Sequence, residues 1–302
     1  MKIFMTGATG LVGRALSSRL EARGDTVLKL SRHSRTGFIT ADPTRPGDWQ
    51  NSIRECDVVV NLAGANLFDR RWDEPFKKEI RESRIQTTRL IAEQLAIDSR
   101  RSASRQKSLI STSAVGYYGP QGDEELTESS PPGRDFMARV CVDWEAAAEP
   151  AVRSGVRVVH PRLGIVLDRH EGALPQLIRP FKFFVGGRVG SGRQWVSWIH
   201  IADLVEILIR MIDDSNLSGP INAVSPHPVT NRELSAAVAK VLGRPNWLPA
   251  PAYAIRLALG EVAEVVTAGQ RVIPSKLRTI GFPFRFPTVQ EALADLLLPS
   301  KA

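Results

Sequence analysis

The residues best placed to do chemistry open the chain. Lys2-Ile3-Phe4-Met5 reads as a short apolar strand, and it runs into Thr6-Gly7-Ala8-Thr9-Gly10-Leu11-Val12-Gly13. Glycines three apart, with a strand before them and an apolar helix behind, leave backbone N–H groups and a helix N-terminus where a pyrophosphate can sit. Gly7 allows the tight turn, Gly10 lets the backbone approach the phosphates, and Gly13 lets the helix pack on the strand. Thr9, Leu11 and Val12 complete the loop and first turn as cofactor-binding candidates. Three glycines alone are a weak signal; the flanking strand and helix make dinucleotide binding the expectation.

The end of the second strand selects the dinucleotide. A site for NAD places Asp or Glu about 20 residues past the glycines, to accept a bond from the ribose 2′-hydroxyl. Here Val27-Leu28-Lys29-Leu30 ends in Ser31-Arg32, with His33 and Arg35 following and no acid. A guanidinium can stack on adenine and pair with a 2′-phosphate, and Ser31 adds a hydroxyl donor. The expected cofactor is therefore NADP(H) rather than NAD. The third strand ends in Asn61-Leu62-Ala63-Gly64, where small residues let a backbone edge run beside the ribose, so Leu62, Ala63 and Gly64 join the cofactor set. Asp42, before Pro43, either meets the adenine amine or forms a turn.

Positioning these groups requires a regular frame. Strands are predicted at Lys2–Met5, Thr26–Leu30, Asp57–Leu62, Ser108–Thr112 and Val156–His160. Helices are predicted at Leu11–Arg23, near Asp48–Glu55, at Trp72–Ala96 and around Phe136–Ser154, the last with Pro150 inside it as a possible bend. Phe76, Ile80, Thr87, Leu90 and Ile91 recur at helical spacing and are expected to face the sheet. Such alternation builds right-handed βαβ units: an α/β fold with a doubly wound parallel (Rossmann) sheet.

After Gly164 the pattern becomes proline- and glycine-punctuated, and two capping boxes announce helices: Thr230-Asn-Arg-Glu233 and Thr288-Val-Gln-Glu291. The expected division is a nucleotide-binding domain over 1–165, joined by 195–225 returning to the sheet. A smaller, mostly helical substrate lobe spans 166–194 and 226–302. Gly186-Gly-Arg-Val-Gly-Ser-Gly192, before Arg193 and Trp195, reads as a mobile substrate lid or a plain glycine turn.

Composition narrows the partners. A 43% hydrophobic content suits a packed core, not a disordered chain. No apolar run approaches the ~20 residues of a membrane helix, so no membrane partner is expected. Cys56 and Cys141 are too few for a disulfide framework, which favours a reducing, cytoplasmic compartment. Five histidines (33, 160, 170, 200 and 227) show no paired ligand spacing, so no metal is expected. The net charge of +8 does not point to nucleic acid: the one dense cluster, Asp98 to Lys107, reads as a solvated loop without aromatic residues. It favours anionic small molecules instead. The sequence does not fix an oligomeric state.

Taken together, the glycine loop, Asn61-Leu-Ala-Gly64 and Ser113-Ala-Val-Gly-Tyr117-Tyr118-Gly119 resemble the extended short-chain dehydrogenase/reductase superfamily. So do Pro161-Arg162, Trp198-Ile-His200-Ile-Ala-Asp203 and Gly219-Pro-Ile-Asn222. Arg71-Trp72, Ser83-Arg84, Gly116-Tyr-Tyr-Gly119 and Asp143-Trp144-Glu145 are most similar to its atypical "epimerase family" subgroup, whose C-terminal domain of unknown function resembles Trp247 to Leu297.

That resemblance implies a catalytic Ser at Ser113, then Tyr and Lys four apart on the following helix. Set against Glu145, the Tyr falls at Met137 and the Lys at Cys141. Met has no proton to give, and a thiol carries no positive charge. No tyrosine lies in that helix, and no lysine lies between Gln121 and Phe181. The standard dyad is absent. Ser113, Tyr117 and Tyr118 are therefore the candidate catalytic groups, although a phenol with a pKa near 10 needs a cation to lower it, and the tyrosines would serve equally as an aromatic wall.

The resemblance also places Ser111, Arg84 and Arg162 beside the cofactor or pocket. Arg162 would bind an anionic group or pair with a helix carboxylate, and Arg84 reads equally as an exposed helical arginine. His200 and Asp203 read as local capping groups rather than an acid/base pair. Asp123 to Glu128 reads as a solvated acidic loop. The expected function is an NADP(H)-dependent oxidoreductase or epimerase acting on a small carbonyl or nucleotide-linked sugar. The alternative is an NADPH-binding sensor or interaction protein without turnover.

Overall fold

The computed structural model describes residues 1–101 and 107–298. In chain order its first half runs β1 (Lys2–Thr6), α1 (Leu11–Ala22), β2 (Thr26–Ser31), β3 (Phe38–Thr40), α2 (Asn51–Arg54), β4 (Val58–Asn61), α3 (Glu74–Arg101), β5 (Ser108–Ser111), β6 (Ser113–Ala114), β7 (Glu125–Leu126), α4 (Phe136–Ala146), α5 (Glu149–Arg153) and β8 (Arg157–Leu163). The second half continues β9 (Ile165–Leu167), α6 (Ala173–Lys182), β10 (Trp195–Val196), β11 (Trp198–His200), α7 (Ile201–Asp213), β12 (Gly219–Ala223), β13 (Val229–Thr230), α8 (Asn231–Leu242), α9 (Ala252–Leu259), α10 (Ala263–Thr267), β14 (Arg271–Val272), α11 (Ser275–Thr279) and α12 (Val289–Leu297).

The main sheet is parallel, in the order β12-β8-β5-β4-β1-β2-β3, with β6 paired to β8. Successive strand residues serve opposite faces, which is why these strands read as unbroken apolar runs. Ile3, Met5, Val58, Val60 and Ile110 pack under α1 and α7. Phe4, Val59 and Leu109 pack with Ile91, Leu95 and Trp49 on the other face. Leu174, Ile178, Trp198, Leu234, Val238 and Leu293 form a separate core among α6, α8 and α12. The capping boxes form as expected: Thr230 and Thr288 each accept the N–H of the glutamate three residues on, and that carboxylate accepts the cap's own N–H.

Several expectations change in detail. The helix predicted over Phe136–Ser154 is two helices, and Pro150 sits at the second position of α5, where its missing N–H leaves nothing unpaired. Phe76 and Ile80 pack against Trp72 and Val262 rather than the sheet, while Ile91 does reach the sheet. The stretch expected as a solvated loop from Asp98 to Lys107 is different at both ends. Asp98 lies within α3, and buried Lys107 donates to its carboxylate at 3.0 Å and to the carbonyls of Ile53 and Arg54. Residues 102–106, Arg105 among them, lie outside the described residues.

All three donors of the Lys107 ammonium are met in the interior, and removing them leaves buried Asp98 with only the Gln94 amide at 2.8 Å and a looser Arg54 ion pair at 3.6 Å. Lys107→Ala is expected to lower unfolding stability by about 3–5 kcal/mol, read by urea denaturation. A loss under about 1 kcal/mol would show the pair to be solvated.

Candidate functional site

The strand order reverses between β1 and β4, and the crevice outside their carboxyl ends is where the glycine loop lies. Gly7 has φ of 68°, and a Cβ on it would come within 2.5 Å of the Leu62 carbonyl carbon. A Cβ on Gly13 would lie 2.3 Å from the Gly7 oxygen. These two glycines let the loop, β4 and α1 touch backbone to backbone. Gly10 differs: it is exposed, and its Cβ would meet only the Gly7 oxygen, at 3.4 Å. Its missing side chain therefore keeps open the ground above the N-terminus of α1. Gly10 caps that helix without a side-chain bond, so the first-turn donors of Leu11, Val12 and Gly13 remain available, with the helix dipole behind them. Thr9 borders them, half-buried. This cradle fits a diphosphate.

At the end of β2, Ser31 is buried and its hydroxyl accepts the His33 N–H at 3.2 Å. Arg32 is exposed and, among the described residues, makes no ion pair. Asp42 accepts both the N–H and the hydroxyl of Thr44, which is the turn geometry.

A buried polar network that the motifs do not announce ties the three central strands together beneath the crevice. Asn61 Oδ1 accepts from Thr6 Oγ1 at 2.7 Å, and Asn61 Nδ2 donates to Thr88 Oγ1 at 2.8 Å and to Ser111 Oγ at 3.3 Å. Thr88 also accepts from the Trp144 indole at 3.0 Å. Ser111, a candidate cofactor contact, is fully buried with its hydroxyl in this network. Thr88 carried no signal beyond its place on α3.

The segment after β6 sorts the candidate catalytic groups. Tyr118 is wholly enclosed; its hydroxyl donates to Asn222 Oδ1 at 2.7 Å and accepts from Arg162 at 2.9 Å. Burial pushes this phenol up to about 12, against the pull of the Arg162 charge. Arg162 in turn grips Glu145 with two bonds of 2.8 Å, which is the helix-carboxylate alternative. Its guanidinium carbon sits 3.4 Å from the ring centroid of Tyr117. Tyr117 is half-buried, and its hydroxyl has no partner among the described residues. Ser113 is 1% exposed, and its hydroxyl, beside the Cys141 thiol, finds no regular partner among the described residues. Two hydroxyls are thus unspent and one is committed to the core.

Met137 and Cys141 project from α4 toward Gly116. Arg84 is not an exposed helical arginine: its guanidinium lies against Gly64 and donates to the carbonyls of Ala65 and Ile80. Glycines 186 and 187 are required by close approach to Phe181 and Leu248, and hydrogen bonds tie the loop to Asn231 and Ala250. His200 caps α7, whereas Asp203 holds the N–H groups of Arg285 and Phe286 instead of its own helix. The acidic loop is largely engaged: Asp123 accepts from the Trp195 indole, and buried Glu128 accepts the N–H groups of Asn222 and Lys276. A groove of about 800 Å³ between α1, α7 and residues 280–283 is lined in part by Asp203 and by none of the candidate cofactor or catalytic residues.

The family model for the NAD dependent epimerase/dehydratase family matches residues 3–223. The chain belongs to this family. A domain of unknown function matches residues 250–296, within the region expected to carry it. The chloroplastic epimerase family protein SDR39U1 homolog of Arabidopsis thaliana is 38% identical, covering 98% of this chain and 87% of that protein. The crystal structure of human epimerase family protein SDR39U1 (isoform 2) with NADPH superposes with a TM-score of 0.87 at 34% identity, covering 98% of this chain and 99% of that one. A nucleoside-diphosphate sugar epimerase of Corynebacterium glutamicum gives 0.81 at 37% identity, over 98% of this chain and 58% of that one. No helix among the described residues is long and apolar enough to cross a membrane.

In this family member the Tyr118 hydroxyl is placed to hold the fold. Tyr118→Phe is expected to cost about 1–3 kcal/mol, because it strands a buried donor of Arg162 and the Asn222 oxygen. With the phenol raised from 10.0 to about 12, its share of stability is complete below pH 10 and lost as pH climbs through 12. Absorbance titration should find at least one phenol still protonated at pH 11. Full ionisation of all three tyrosines by then would contradict the enclosure.

Proposed function

We propose that this chain binds NADP(H) in the β1–β4 crevice and catalyses hydride transfer on a small, anionic carbonyl or hydroxyl compound of the nucleotide-sugar type. The observation that carries the cofactor reading is the open amide cradle above Gly10 combined with an exposed Arg32, without an ion pair among the described residues, where an acid would select NAD. Leu11, Val12 and Gly13 would hold the diphosphate, Arg32 and Ser31 the 2′-phosphate, and the Leu62–Gly64 edge the ribose. The NADPH in the human relative supports the same choice.

Charge distribution supports the substrate class. Residues 172–194 and 234–260 contain no Asp or Glu and seven Lys and Arg, so much of the net +8 falls in the C-terminal part of the chain. A substrate bearing phosphates is drawn to such a surface. The nucleoside-diphosphate sugar epimerase relative points the same way.

Bound NADPH supplies the hydride. The residues of this chain supply the proton: Tyr117 Oη donates to the substrate oxygen while the Ser113 hydroxyl holds that oxygen in place. Arg162, stacked on the Tyr117 ring, holds that ring in place. Met137 and Cys141, standing where a reductase carries Tyr and Lys, favour a second reading in which the chain holds NADPH as a sensor without turnover.

Arg32→Ala is expected to weaken NADPH about 10- to 100-fold while leaving NADH within about threefold. Equal losses for both coenzymes would refute the selection. Tyr117→Phe is expected to slow NADPH oxidation, on a panel of carbonyls and sugar nucleotides, about 100-fold or more. Wild-type protein that binds NADPH but turns over nothing on such a panel would favour the sensor.

A further inference from the structure

Helix α6 closes in a Schellman turn. The Val185 N–H returns to the Pro180 carbonyl and the Phe184 N–H to the Phe181 carbonyl, each at 3.0 Å. Such a turn calls for glycine at the position that Phe184 holds. Phe184 has φ of 62° and is the one non-glycine residue with positive φ among the described residues. That conformation is costly for a bulky side chain. The ring brings the core little in return: Phe184 is 52% exposed, beside Phe183 at 69%. A fold keeps an outlier of this kind where the side chain is used.

Residues beyond the end of α8 complete an apolar patch. The Arg244 guanidinium carbon stands 4.3 Å from the centroid of the Phe184 ring. The Trp247 indole donates to the Phe184 carbonyl at 3.0 Å, yet 65% of that residue stays exposed. Val185 and Leu248 are exposed as well. Single exposed apolar residues are ordinary, whereas a group of them marks a contact surface. Lys182, Lys240 and Arg244 are exposed and make no ion pair among the described residues, and no Asp or Glu occurs over 172–194 or 234–260. A second copy docked about a twofold axis would set these cations against their own images. The backbone favours a different partner. The N–H of Phe183 donates to Pro180, and those of Trp247 and Leu248 donate to Gly186, so with the two turn bonds every N–H of these five apolar residues is met internally. Backbone that enters lipid must be satisfied in this way.

We propose that this patch rests on a membrane surface bearing anionic headgroups, with Phe183, Phe184 and Trp247 entering the interface and Lys182, Lys240 and Arg244 meeting the lipid phosphates. Aromatic rings flanked by Lys and Arg suit the headgroup layer, and a contact of this kind needs no spanning helix. The cations add an attraction that salt screens. Phe184 then holds its left-handed position because glycine there would remove a ring from the bilayer contact.

The test sediments the whole protein with vesicles of phosphatidylcholine alone, or of an equal mixture with phosphatidylglycerol. Wild-type protein should bind the mixed vesicles about tenfold more tightly than the neutral ones, and lose that preference in high salt. Bromine on the acyl chains should quench Trp247, the one exposed tryptophan among the described residues. Phe184→Gly relieves the turn, so it should raise the thermal unfolding midpoint and still weaken vesicle binding about fivefold or more. Phe183→Ser should weaken binding to a similar extent, and Lys182→Glu with Arg244→Glu should abolish the preference for anionic lipid. The inference fails if wild-type protein stays in the supernatant with the mixed vesicles, or if bromine leaves the fluorescence unchanged. It fails if Phe184→Gly binds like wild type, which would reduce the effect to net charge, or if that variant is less stable than wild type. A wild-type dimer that Phe183→Ser turns into a monomer would assign the patch to a second copy and overturn it too.

Discussion

Everything in this molecule is arranged around a backbone-to-backbone contact where β1, β4 and α1 meet. Gly7 lies so near the Leu62 carbonyl, and Gly13 so near Gly7, that no side chain fits at either place. That closeness aims the first-turn amides of α1 into the crevice, and a helix end presented in this way attracts an anion. The Asn61 network supports the arrangement from below by linking Thr6, Thr88 and Ser111, one residue from each neighbouring element, through a single carboxamide. Its groups are satisfied by one another, so the strand ends are fixed without drawing on the groups that face the ligand.

A second division separates charges that hold the fold from charges left for chemistry. Arg162, Glu145, Tyr118 and Asn222 form a closed set in which each polar group meets another. Ser113, Tyr117, Arg32 and Arg84 have donors or hydroxyls to spare. Both sets contain arginines and tyrosines, and Tyr117 and Tyr118 are adjacent in sequence. What separates them is the 3-10 turn over Val115–Tyr118, which sends one ring into the core and leaves the other half-open.

Local signals made the frame legible. The glycine spacing, the apolar strands and the two capping boxes each reside within a few consecutive residues, and each appears in the structure close to its expected bounds. What stayed hidden depends on partners distant in sequence. Tyr118 meets Asn222 across 104 residues, and Lys107 is buried because carbonyls of α2 reach it across more than 50. Asp203 looked like a helix cap, and binds instead the backbone of residues 285 and 286. Arg84 was readable as a candidate through family resemblance, but that its guanidinium meets carbonyls of Ile80 and Ala65 and, among the described residues, no carboxylate emerges only when α3 is packed in the fold.

A crystal structure of the protein grown with NADPH tests the central claim most directly. The account predicts diphosphate density against the amides of Leu11, Val12 and Gly13, with the 2′-phosphate beside Arg32 and the nicotinamide end over Ser113 and Arg84. Density for the coenzyme bound elsewhere, or with its adenosine end at Ser113, would contradict it.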